Sequence, residues 1–289
     1  MERKKIKFLV LGATGMAGHT ISLYLHEQGH IVTTFSKEVF PFCPNIIGDA
    51  LDDSFFITVL KHGDYDVVIN CIGVLNTACD LNLARSVYLN SYLPHLIVDS
   101  LKDMKTKVMH ISTDCVFSGK DGPYSEHSFR NGETFYDRTK ALGEIEDSKN
   151  LTFRTSIIGP DMKENGLGLF NWFMRQSGVI NAYTKAIWTG VTNLTLAKAI
   201  EEATIENLTG LYHLVNDESI NKYDLLNLFE KYMGAKKVSL LPSKIVELNK
   251  SLINNRTDFT FKVPSYEQMI TEMVEWIRIH EKIYPHYFK

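Results

Sequence analysis

Residues 6–18, IKFLVLGATGMAG, set the reading of this chain. Ile6 to Leu11 form a short apolar run of the kind found in a central parallel strand buried on both faces. Gly12, Gly15 and Gly18 follow as G-x-x-G-x-x-G, and His19 to Gln28 continue with helical apolar spacing at Ile21, Leu23, Tyr24 and Leu25. A strand, a glycine turn and a helix make the first half of a crossover unit. Such a turn brings backbone close to a pyrophosphate, which then sits at the positive end of the helix.

The same order recurs downstream. Strands are expected at Ile31 to Phe35, Asn45 to Gly48, Asp66 to Asn70, Lys107 to Ser112 and Leu151 to Thr155. Helices are expected at Asp52 to Lys61, at Leu81 to Lys102 with a break at Pro94, and at Glu133 to Glu144. Alternation of this kind predicts an α/β fold, a Rossmann-type doubly wound parallel sheet with right-handed crossovers.

After Ile158 the rhythm changes. Leu167 to Ser177, Asn193 to Asn207, Lys222 to Met233 and Tyr266 to Tyr284 read as helices, with Val179 to Thr184 and Gly210 to Val215 extended. The expected division is a dinucleotide-binding domain over 1–157 and a smaller mixed α/β C-terminal substrate lobe over 158–289. That boundary is soft, because segments of the second half can return to the sheet.

Composition narrows the function. The 289 residues are 44% hydrophobic and 22% charged, with a net charge of -3, which offers no basic footprint for nucleic acid. Arg3, Lys4 and Lys5 precede an apolar run as in a signal peptide, but Lys7, Gly12, Thr14 and Gly15 interrupt it. No apolar segment approaches the ~20 residues needed to span a bilayer. Cys43, Cys71, Cys79 and Cys115 lack metal or disulfide spacing, and the ten histidines show no ligand pattern, so reduced thiols, a cytoplasmic location and no metal are expected.

The cofactor residues are read from strand ends. Gly12, Thr14, Gly15, Met16, Ala17 and Gly18 form the turn. At the end of the second strand, where an acidic residue would favour NAD, stand Ser36 and Lys37, so a 2′-phosphate and NADPH rather than NADH are expected. Asp49, with Ala50, is placed to touch the adenine or to cap the helix near Asp52; Cys71, Ile72 and Gly73 follow the fourth strand. Ser112 and Thr113 end the fifth, on the same sheet edge, and either can cap the strand or face a ligand.

Tyr136 and Lys140 stand four apart on a helix, which stacks phenol and ammonium on one face. Alone, such a pair is commonly a solvated surface. With a strand-end hydroxyl and a glycine turn it becomes an acid whose proton a nearby cation loosens.

That combination resembles the short-chain dehydrogenase/reductase family in its extended form. STDCVFSG (112–119), GPYSE (122–126), YDRTKALGE (136–144), RTSIIG (154–159) and LYHLV (211–215) are similar to the dTDP-4-dehydrorhamnose reductases, most closely over 108–160 and loosely after 240. The resemblance implies NADPH-dependent reduction of a nucleotide-linked 4-keto-6-deoxysugar for cell-surface polysaccharide precursors. Tyr136 would protonate the developing alkoxide, Lys140 would hold the nicotinamide ribose, and Thr113 would orient the carbonyl. Asn90 matches the family's structural asparagine. The implied cofactor set adds Ser112, Tyr136, Lys140 and Thr155; the implied substrate set is Thr113, Asp114, Cys115 and Tyr136, and Phe117, Trp188 and Arg175 are further candidates. A homodimer is compatible with the family.

Two departures bear on the substrate: Cys115 stands where these reductases generally carry an aromatic residue, and Ile157 where they carry Trp. Rival readings are a 4-epimerase with retained NAD, a 4,6-dehydratase, which needs a Glu where Cys115 stands, and a non-catalytic regulatory subunit.

Overall fold

The computed structural model describes residues 5–76, 78–234 and 238–288; Arg3 and Lys4 of the basic run lie outside them. In the first half the elements are β1 (Lys7–Leu11), α1 (Met16–Glu27), β2 (Ile31–Ser36), β3 (Asn45–Ile47), α2 (Asp53–His62), β4 (Val67–Asn70), α3 (Ala78–Leu81), α4 (Leu83–Val87), α5 (Leu93–Ser100), β5 (Lys107–Thr113), α6 (Phe135–Leu142) and β6 (Leu151–Thr155). The second half adds β7 (Ile157–Ile158), α7 (Leu169–Met174), β8 (Gly178–Trp188), β9 (Val191–Thr192), α8 (Asn193–Ile205), β10 (Gly210–His213), β11 (Ile220–Asn221), α9 (Lys222–Met233), β12 (Val238–Asn249) and α10 (Tyr266–Ile279).

Seven parallel strands form the central sheet in the order β3-β2-β1-β4-β5-β6-β10. The order reverses between β1 and β4, and in doubly wound sheets a crevice opens beyond the strand ends at that point. Alternation along β1 explains its apolar run. Phe8 and Val10 enter one core with Ile21 of α1, Ile200 of α8 and Ile270 of α10, while Leu9 and Leu11 enter the other with Phe56 of α2 and Ile97 of α5. β10 is supplied by the second half of the chain and pairs with β6.

Three expectations about elements change. Helix α1 starts at Met16, not His19, because the second glycine of the turn, Gly15, is its N-cap. Pro94 does not break its helix. The preceding turn, Tyr88–Tyr92, widens to π geometry, and the Leu93 amide bonds to the Tyr88 carbonyl, so the proline ring is accommodated. No element was expected over the long strand β12, which contains Pro242. It pairs in parallel with β8 at the edge of a three-stranded sheet, where proline is tolerated.

Candidate active site

At the switch point a cleft of about 820 Å³ runs along the carboxyl ends of β1, β2, β4, β5 and β6. Its floor is the glycine turn. Gly12 has φ +82, a left-handed conformation that favours glycine, and its Cα faces the Cys71 backbone. Gly15 caps α1 without a side-chain hydrogen bond, which leaves the first-turn amides free to bind an anion at the cleft floor.

Gly12, Thr14, Gly15, Met16, Ala17, Ser36, Lys37, Asp49, Ala50, Cys71, Ile72, Gly73, Ser112, Thr113, Asp114, Cys115, Tyr136, Lys140 and Thr155 all line this cleft. Gly18 does not. A Cβ on Gly18 would lie 2.2 Å from the Gly12 carbonyl oxygen, so this glycine lets α1 pack against the turn.

The adenine end differs from expectation. Lys37 pairs with Asp49 at 2.5 Å, and Glu38 also lines the cleft, so carboxylates are present after all. Asp49, expected near the adenine, is brought beside Lys37 by β3 across twelve residues of sequence, while Glu38, the residue after Lys37, was not expected in the cleft. Asp49 does not cap α2; Asp52 does, accepting from the Phe55 amide. The Ser36 hydroxyl is engaged, donating to the Glu38 carbonyl (2.7 Å) and accepting from Asn45. Two further cations were not foreseen: Arg85 from α4, and Lys163, which pairs with Glu38 across the cleft at 2.8 Å.

At the other end Thr113, Cys115, Tyr136 and Ile157 share the cleft wall. α6 begins with a capping box, Thr134 accepting from the Asp137 amide while Asp137 accepts from the Thr134 amide, which sets where Tyr136 and Lys140 point. The Tyr136 phenol is pushed above its ordinary range by burial first and by Cys115 and Asp114, while a hydrogen bond from Thr113 favours the phenolate. The Lys140 amino group turns the other way, donating to the Ile111 carbonyl at 2.8 Å and lying 3.3 Å from His110 Nε2. Burial brings Lys140 down to about 8 and pushes the Cys115 thiol up to about 12.

Buried polar contacts position these groups. Asn90, in the π turn, accepts from the Val74 amide (2.8 Å) and donates to the Val74 carbonyl and Thr139 Oγ1, clamping the loop after β4 to α6. Ser112 turns its hydroxyl away from ligand to Glu144 (2.7 Å), whose carboxylate is held below the usual range, against burial, chiefly by Arg154. Arg154 binds Glu144 through Nε and a terminal nitrogen, at 2.7 and 2.6 Å, and reaches His213 at 2.8 Å.

Three candidates lie elsewhere. Phe117 is buried in a stack on Tyr124 with Arg154 over its ring, Trp188 packs on Tyr266 beneath Lys222, and Arg175 binds the Asn171 carbonyl from the surface. None of them lines the cleft. Among the described residues no His/Cys/Asp/Glu cluster suits a metal, and no helix is long and apolar enough to cross a membrane.

A parallel 3-2-1-4-5-6 sheet, a glycine turn at its switch point and Thr, Tyr and Lys on one cleft define an extended short-chain dehydrogenase/reductase fold. Residues 6–277 match the RmlD substrate binding domain family, and the chain belongs to that family. It is 32% identical to a probable low-salt glycan biosynthesis reductase, Agl14, of Haloferax volcanii, over 47% of this chain and 46% of that protein, so this match spans about half of either length. It is 24% identical to the spore coat polysaccharide biosynthesis protein SpsK of Bacillus subtilis, over 79% of the chain and 80% of the relative.

Among solved structures, the dTDP-4-dehydrorhamnose reductase of Bacillus anthracis in complex with NADP superposes with TM-score 0.80 at 19% identity, covering 94% of this chain and all of that one. A dTDP-glucose 4,6-dehydratase of the same organism in complex with NAD reaches 0.75 at 14%, covering 96% and 98%. The fold is thus shared by enzymes of different reaction type.

Proposed function

We propose that this protein reduces a nucleotide-linked 4-keto-6-deoxysugar with NADPH, in the supply of precursors for cell-surface polysaccharide. The observation that carries the reading is the convergence of Thr113, Tyr136 and Lys140 on the cleft floored by the uncapped start of α1. The glycan and spore coat relatives and the NADP-bound reductase fit it. Cys115 in place of a glutamate speaks against the dehydratase reading.

The turn residues 12–17 fit a pyrophosphate, since α1 offers amides and no acidic side chain in its first turn. Lys37, Arg85 and Lys163 supply positive charge at the adenine end, which favours NADPH. When bound, NADPH supplies the hydride that reaches the ketone carbon. Tyr136, held protonated by burial, donates its proton to the carbonyl oxygen as the C=O electron pair moves onto it. Thr113 orients that oxygen beside the phenol. Lys140 positions the nicotinamide ribose. Cys115 and Ile157 shape the sugar pocket, where they leave more room than the aromatic residues usual in these reductases.

The lobe over 158–289 would hold the nucleotide sugar while lending β10 to the sheet. A cytoplasmic location fits the four free cysteines. A homodimer fits the exposed Leu83, Val87, Tyr92 and Leu142 around α4 and α6.

The test is to mix the protein and NADPH with a panel of dTDP-, UDP- and GDP-linked 4-keto-6-deoxysugars and follow loss of nicotinamide absorbance. One sugar should be consumed. Tyr136→Phe should abolish that turnover while leaving NADPH binding within about twofold; undiminished turnover in the variant rules the mechanism out.

A further inference from the structure

Three buried side chains, Trp276 of α10, Tyr284 just beyond it and His19 of α1, form a hydrogen-bonded line that ends on the glycine turn. Trp276 Nε1 donates to Tyr284 Oη at 3.2 Å, Tyr284 Oη lies 2.8 Å from His19 Nε2, and His19 Nδ1 lies 2.9 Å from the Gly15 carbonyl oxygen. Both ends of the line have a fixed role. An indole N–H can only donate and a carbonyl can only accept, so His19 Nδ1 carries the hydrogen.

Burial keeps the ring neutral by lowering His19 to about 4, so Nε2 accepts, and the Tyr284 hydroxyl, itself accepting from the indole, supplies the donor. Thr20 Oγ1, 3.2 Å from the same nitrogen, accepts from Asn193 Nδ2 at 2.8 Å and so also meets Nε2 as a donor. The Gly15 carbonyl shares a peptide plane with the Met16 amide, and in a trans peptide the two point in opposite directions. The carbonyl faces into α1, where it also accepts from the His19 amide at 3.1 Å, while the Met16 N–H points out of the helix start toward the cleft that Met16 lines. A second donor on that carbonyl fixes the tilt of the peptide and, by polarising it, strengthens the N–H at its other end.

We propose that His19 and Tyr284 are positioning residues that aim the Met16 amide at the pyrophosphate of the cofactor. Tyr284, 265 positions after His19, thereby sets dinucleotide affinity without touching the ligand. The inference rests on the reading of the cleft as a dinucleotide site, and it extends that reading to residues outside the glycine turn and the cleft wall.

The test needs no sugar substrate. Nitrogen-15 NMR of histidine-labelled protein, with His19 assigned from His19→Asn, should show Nδ1 protonated and Nε2 bare from pH about 6 to about 8. The reverse pattern overturns the proposal whatever the variants do. The second measurement is titration with NADPH and with adenosine 2′-monophosphate, which carries the adenine end and no pyrophosphate. Tyr284→Phe and His19→Phe should weaken NADPH by about three- to tenfold and leave adenosine 2′-monophosphate within about twofold. His19→Asn, whose side-chain NH2 can replace Nδ1 as donor to the Gly15 carbonyl, should keep NADPH within about twofold of the parent. Equal weakening of both ligands overturns the proposal, because a general loosening of the fold does that. Absence of NADPH binding to the parent refutes the dinucleotide reading and this inference together, whereas binding that Tyr284→Phe and His19→Phe leave unchanged refutes the inference alone.

Discussion

At the scale of single residues the cleft separates what chemistry demands from what packing borrows. Ser112 and Ser36 look like ligand hydroxyls in sequence, yet one is committed to Glu144 and the other to the Glu38 carbonyl. A hydroxyl spends its donor on the strongest acceptor in reach, and tertiary packing decides which acceptor that is. Thr113 and Tyr136 keep their place because they stand where β5 ends and α6 begins at the cleft. Lys37 is an intermediate case. Its cation is shared with Asp49, so Lys37→Ala should weaken NADPH by about tenfold, ~1.4 kcal/mol, and leave NADH within about twofold. Paired dissociation constants check this, and equal losses for both cofactors would remove Lys37 from 2′-phosphate recognition.

At the scale of elements, α6 is the piece that must be held, and two contacts just past its carboxyl end hold it. One is the Glu144–Arg154 pair, buried together and linked to Ser112 and His213. Removing one member of a buried pair leaves the other charge uncompensated, so Arg154→Met should cost about 3–5 kcal/mol in denaturant unfolding. The other is close packing of Gly143 on the π turn, where a Cβ would lie 1.9 Å from the Asn90 carbonyl oxygen. Gly143→Ala should displace α6 and lower kcat while NADPH affinity stays near that of the parent; steady-state kinetics and cofactor titration separate the two. The strand and helix periods of β1, α1 and β4 were legible because each buries its own apolar residues. The π turn at Pro94 and the edge strand β12 were not, since both exist through partners far along the chain.

At the scale of the whole molecule, burial of titratable groups sets the response to acid. His19, His110 and His213 are held below the usual histidine range by burial, His19 at about 4 and His213 at about 3. Their folded pKa values lie below the unfolded value, so the unfolded chain takes up protons that the folded chain refuses. Stability is therefore full above pH 6.5 and falls as the pH drops toward 4, by about 4 kcal/mol per pH unit for three such groups. Glu144, held low, adds to the loss at still lower pH. Urea unfolding at a series of pH values measures this slope, and a flat profile between pH about 6 and about 4 contradicts it. Taken by itself, the sequence determined the alternating α/β order, the turn at Gly12 and Gly15 and the pairing of Tyr136 with Lys140, because these are local: period, backbone freedom and helical spacing are written in neighbouring residues. Only the tertiary structure decided that Gly18 serves packing, that Asp49 meets Lys37, that Arg85 and Lys163 reach the cleft, and that Lys140 donates to the Ile111 carbonyl beside His110. Those outcomes depend on distances and burial created when strands distant in sequence become neighbours, and no local pattern encodes them.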